Sequence, residues 1–110
     1  MKNSSYQEKI NAFFAQQEES MLRDIMALIE VPSARGEAAD DMPYGVGPYL
    51  ALKKGMELME RQGLSVRCWD NRVVTGDLTA LAPGLDILAH LDVVPAEDNW
   101  TVCGPYLPKI

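Results

Sequence analysis

Between Leu85 and Val94 the chain reads LDILAHLDVV, and no other stretch constrains the fold as strongly. A near-continuous apolar run of this length fits a strand covered on both faces, as in a parallel or mixed sheet. Side chains alternate along a strand. Leu85, Ile87, Ala89, Leu91 and Val93 therefore share one face, and His90 and Asp92 emerge together on the other. The pair lies towards the carboxyl end of the strand, where open α/β sheets place ligands. His90 is the only histidine in the 110 residues. As a functional group it is a metal ligand or a base, with Asp92 orienting it. On these two residues alone, a hydrogen-bonded structural histidine beside a turn-capping aspartate is the better reading, because zinc takes three or four ligands.

The preceding elements are all signalled locally. Ser5 and Glu8 have capping-box spacing. Behind them Ile10, Phe13, Phe14, Met21, Leu22, Ile25, Leu28 and Ile29 recur at steps of three and four, which predicts a long amphipathic helix stopped by Pro32. Residues 32–47 read as a loop, long enough to be functional. A second helix is expected from Pro48 to Gln62, burying Tyr49, Leu52, Met56 and Met59, with Gly63 at C′ and Leu64 behind it. Alternation then predicts a strand over Leu64–Cys68 and a second over Arg72–Leu81, joined at Asp70-Asn71, with Gly76 a candidate bulge. Pro83-Gly84 reads as a turn into the Leu85–Val94 strand. The order α, α, β, β, β makes the fold class α/β.

Composition narrows the function. Hydrophobic residues at 47% exclude a disordered or low-complexity chain, and 110 residues is the length of one domain. Sixteen acidic against 10 basic residues give a net charge of −6, which argues against nucleic acid or an anionic membrane as partner. There is no apolar run behind the N-terminus and none of about 20 residues anywhere, so neither a signal peptide nor a membrane span is expected. Cys68 and Cys103 fit no metal or redox spacing and read as free thiols of a cytoplasmic protein. Gly45-Val46-Gly47 follows no strand and lacks the Lys-Ser/Thr of a phosphate loop, so it reads as the approach to a helix. Glu37, Asp40 and Asp41 lack calcium-loop spacing, and Ser20 and Ser33 have no base at a recognisable spacing.

Wider context adds to the His-x-Asp pair. His90-Leu91-Asp92-Val93-Val94-Pro95, followed by Trp100 and Pro105-Tyr106, resembles the signature of one metallopeptidase family. That family holds carboxypeptidase G, succinyl-diaminopimelate desuccinylase, acetylornithine deacetylase and the bacterial PepV-type dipeptidases. Ala27 to Ser33, then Gly36-Glu37, is similar to the end of its first helix, and Pro43-Tyr44-Gly45-Val46-Gly47-Pro48 resembles the PepV-like branch in particular. The likeness runs from about Met21 to Ile110. Glu97, Asp98 and Asn99 fill a loop that usually carries glycine, and Tyr106 stands where the family has phenylalanine.

The resemblance implies an α/β/α catalytic domain that hydrolyses the amide bond of a small dipeptide. Two divalent metals serve the complete site, zinc foremost and manganese or cobalt as alternatives. His90 corresponds to a ligand of one metal, and Asp92 to the catalytic aspartate that orients it. The family's bridging aspartate, general-base glutamate and remaining ligands have no counterpart in residues 1–110, which are expected to be the N-terminal portion of the domain and inactive alone. In that portion one face and an edge of the Leu85–Val94 strand should be poorly covered. An N-acyl amino-acid deacylase of the same family and a non-catalytic α/β binding module are the alternative functions.

Overall fold

The computed structural model describes residues 2–82 and 84–110. Its architecture is α/β: helix α1 (Lys2–Ile29), helix α2 (Val46–Arg61), and an antiparallel pair of strands, β1 (Ser65–Trp69) and β2 (Val73–Asp77). Pro83 of the expected Pro83-Gly84 turn lies outside the described residues.

Helix α1 begins upstream of the expected cap. Ser5 is inside the helix, because no glycine or proline precedes it to stop the turn from propagating. The apolar stripe is thinly covered: Leu22 and Leu28 in its second half are half-buried, and Met21, Ile25 and Ile29 stay exposed. Phe13 and Phe14 pack edge to face with centroids 5.7 Å apart, yet are 58% and 61% exposed. Length accounts for this: 28 residues of α1 span about 42 Å and 16 residues of α2 only about 24 Å. Where the helices meet, Arg61 pairs with Asp24 at 3.2 Å.

The connection between the helices is cross-linked by its own backbone. Ala39 and Met42 exchange both N–H···O bonds (3.1 and 3.0 Å) around Asp40-Asp41, and Gly36 N–H donates to the Tyr44 carbonyl at 2.9 Å. Gly45 starts α2 with φ +89°, pressed so closely on Gly36 that a Cβ would lie 2.8 Å from the Gly36 Cα. Gly47 is packed against the carbonyl oxygens of Pro32 and Ala34. Carbonyl oxygens facing that turn repel an anion, so the glycines serve close packing at the helix entry that the sequence suggests.

The buried line of α2 is Pro48, Ala51, Gly55 and Leu58, with Leu52, Met56 and Met59 half-buried beside it. Small residues hold the centre of this face, where the sequence pattern puts large ones, and they let a neighbour approach closely. Lys54 donates to Glu57 at 2.8 Å on the outer surface and holds that carboxyl below its ordinary pKa. The helix ends as expected. Leu64 N–H reaches the Met59 carbonyl (3.1 Å) and Gly63 N–H the Glu60 carbonyl (2.9 Å), with Gly63 at φ +83°. This is a Schellman motif.

The hairpin turns at Asp70 and Asn71, whose φ values of 51° and 53° have the sign that tight hairpin turns need. Two expectations are corrected here. The second strand stops at Asp77, short of Leu81, because β1 offers no partner beyond Ser65. The register from Ser65↔Asp77 to Trp69↔Val73 is continuous, so Gly76 is not a bulge. Glycine there gives room to the Met59 and Leu64 side chains, since a Cβ would lie 2.7 Å from Met59 Sδ and 3.1 Å from Leu64 Cδ1.

The largest correction concerns Leu85–Val94, which forms no strand. A strand exists by pairing its backbone with a neighbour. Among the described residues this segment finds one such contact, a parallel bridge between Val93 and Ala34 with Val93 N–H donating to the Ser33 carbonyl at 3.4 Å. Apart from Leu91 its side chains are exposed, Ile87 at 88% and Leu88 at 95%. The molecule is correspondingly open. Its radius of gyration is 17.2 Å, against about 13 Å for a compact chain of this length. Its accessible surface is 9247 Å², about half as much again as a monomer of this mass normally exposes.

Candidate functional site

The His90–Asp92 segment is held at two points. Leu91 points towards α2, its Cδ1 only 3.0 Å from where a Cβ on Gly55 would sit. Two residues on, Val93 is bonded to Ser33, itself 3% exposed. With Leu91 turned inwards, the odd–even alternation holds locally without a ladder, and His90 and Asp92 project outwards together.

His90 Nδ1 lies 2.9 Å from the Asp92 main-chain oxygen and 3.4 Å from its Oδ1. A carbonyl oxygen only accepts, so Nδ1 is the donor in this bond, and in the neutral ring that leaves the lone pair on Nε2. That tautomer is the one a metal ligand binding through Nε2 requires. The ring is 84% exposed and the Asp92 side chain 63%, so both are accessible.

His90 stands on a ridge between two cavities. One, of about 680 Å³, gathers the rest of the motif: Pro95, Trp100, Pro105 and Tyr106 line it together with Leu28 of α1 and Ser33. The other, of about 430 Å³, is bounded by Asp92, Tyr44, Leu52 and two arginines, Arg35 and Arg72. The sequence pattern does not single out these arginines. They are 37 positions apart, and no spacing rule joins them.

Among the described residues, no three His, Cys, Asp or Glu side chains come together to hold a metal ion. His90 is one ligand of suitable geometry, short of the three or four that zinc takes. Glu37, Asp40 and Asp41 form no such group. Ser33 contributes its carbonyl to the Val93 bond. Cys68 and Cys103 are both free thiols. No helix among the described residues is long and apolar enough to cross a membrane.

No protein-family pattern matches the chain. Over 99 residues it is 33% identical to proteins named "Putative dipeptidase" in Staphylococcus aureus strains USA300, NCTC 8325 and Mu50. The match takes in 86% of this chain and 20% of each relative, so the chain spans about a fifth of the length of the curated relatives it matches. The chain is thus related in sequence to proteins of dipeptidase name.

Proposed function

We propose that this chain is the N-terminal portion of a metal-dependent dipeptidase catalytic domain and that His90 is its first metal ligand. The observation that carries the reading is the 33% identity to dipeptidase-named proteins over 86% of the chain. The geometry at His90 supports it, since the Asp92 carbonyl holds Nδ1 and leaves Nε2 free for an ion. In this reading Asp92 orients the imidazole and offers its carboxylate as further support. A divalent ion, zinc foremost, supplies Lewis-acid polarisation of the scissile carbonyl and activation of water when bound. The other ligands and the general base come from residues beyond these 110 positions, so the 110-residue chain alone does not turn over. The substrate is a small dipeptide, and the two free thiols suit a cytoplasmic setting.

Two measurements test this. Zinc titrated into the chain should shift the His90 ring resonances, His90→Ala should abolish that response, and Asp92→Ala, which removes the carboxylate and keeps the main-chain carbonyl, should weaken it. Hydrolysis of Ala-Ala should be absent from the 110-residue chain with zinc, manganese or cobalt, and present in a longer form of the protein. Preference of that longer form for N-acetyl-alanine over Ala-Ala would instead establish a deacylase.

A further inference from the structure

We propose that Arg35 and Arg72 form an anion subsite beside His90 that takes the free carboxylate of a peptide-like substrate. This rests on the dipeptidase reading and adds to it the group that orients the substrate.

Arg35 and Arg72 both line the 430 Å³ cavity that His90 and Asp92 also border. Asp92 is the one carboxylate in that wall, so two arginines leave the cavity net positive in a chain whose charge is −6. Neither arginine has a carboxylate partner among the described residues. Arg35 lies over the face of Tyr44, 5.4 Å from the ring centre. Stacking occupies the face of a guanidinium and leaves its N–H edge unspent, and that edge matches a carboxylate in bidentate fashion. Arg72 spends one N–H on the Asp70 carbonyl at 3.4 Å and keeps the others.

The two arginines sit on different loops, and the loops are tied together. Asn71 Nδ2, next to Arg72, donates to the Asp41 carbonyl at 2.8 Å. Within the other loop, the Gly36–Tyr44 bond sets Arg35 beside the ring it stacks on. Leu52, Pro48 and Val73 form the apolar part of the wall, which lowers the local dielectric and strengthens a charge-assisted bond. Any anion held here lies along the same wall as His90, so a substrate anchored by its carboxylate presents its amide bond towards the imidazole side.

The test is an NMR titration of the 110-residue chain, without metal, following the arginine Nε–H resonances. Ala-Ala is expected to shift Arg35 and Arg72 in a saturable way, and Ala-Ala amide, which lacks the carboxylate, is expected to leave them in place. Arg35→Gln and Arg72→Gln should each weaken Ala-Ala binding about tenfold, the loss of one hydrogen bond to a charged group. Arg→Lys at either position should restore only part of this, because lysine keeps the charge and loses the fork. An unchanged Gly63 amide resonance in each variant reports an intact α2 terminus. Equal responses to dipeptide and amide, or Gln variants that bind within twofold of the parent, overturn the subsite. The zinc response of His90 is read separately: its loss with the carboxylate response intact sinks the dipeptidase reading alone, and the reverse sinks only the subsite.

Discussion

Residues 46–77 and residues 84–94 are both rich in apolar side chains, and they fare differently. In the first stretch α2, its Schellman cap, the Asp70-Asn71 turn and the hairpin all form. In the second, the most apolar run in the chain lies open, with Leu88 95% exposed. In the first, the helix turns, the cap, the hairpin turn and the strand pairing all find their backbone partners inside the stretch. The second needs a neighbouring strand, and the described residues offer it one bridge at Val93. Hydrophobicity sets how much a segment gains from cover but does not supply the cover.

The contrast can be broken most forcefully at Gly47. A methyl group there meets the backbone oxygens of Pro32 and Ala34, which cannot swing aside. Gly47→Ala should destabilise the α2–hairpin unit by about 3 kcal/mol, seen as a lower denaturant midpoint by circular dichroism. Gly55→Ala should separate the two regions, because its effects oppose each other. The helix gains up to about 1 kcal/mol of intrinsic propensity, while the new methyl displaces Leu91 and loosens the His90–Asp92 segment. Hydrogen exchange should therefore slow within α2 and quicken at the Val93 amide; slowing at both sites would show that Leu91 does not hold the segment. The smallest effect is expected at Leu88. Leu88→Lys should change stability by less than about 0.5 kcal/mol and reduce self-association in sedimentation, since it removes an uncovered apolar side chain.

The same contrast governs what could be read in advance. Gly63 and Leu64 announced the helix end, and Asp70-Asn71 the turn, because each signal acts on bonds within four or five residues. Ser5 misled because a capping residue marks a helix start only where the helix does not already extend past it. The strand at Leu85–Val94 misled because its apolar pattern describes an environment that lies outside the segment. The shared outward projection of His90 and Asp92 was legible from alternation, and Leu91 keeps that alternation by docking on Gly55. Arg35 and Arg72 were not legible, since the Asn71–Asp41 bond that ties their loops joins positions 30 residues apart. The burial of α2 was half legible: the pattern found the face, but not the small residue that the close approach of Leu91 requires at Gly55.

The single backbone bond between Val93 and Ser33 has a thermodynamic consequence. Residues 84–90, just before it, are exposed and make no backbone hydrogen bond among the described residues, so little opposes their conformational freedom, and immobilising one residue's backbone costs about 1–2 kcal/mol. A ligand that clamps His90 must quench that freedom in its neighbours as well. Its observed affinity is therefore the intrinsic affinity of the imidazole less an ordering term. Whatever lies alongside Ile87 and Leu88 to still them would tighten binding at His90 without touching the ligand, a positive cooperativity carried by entropy.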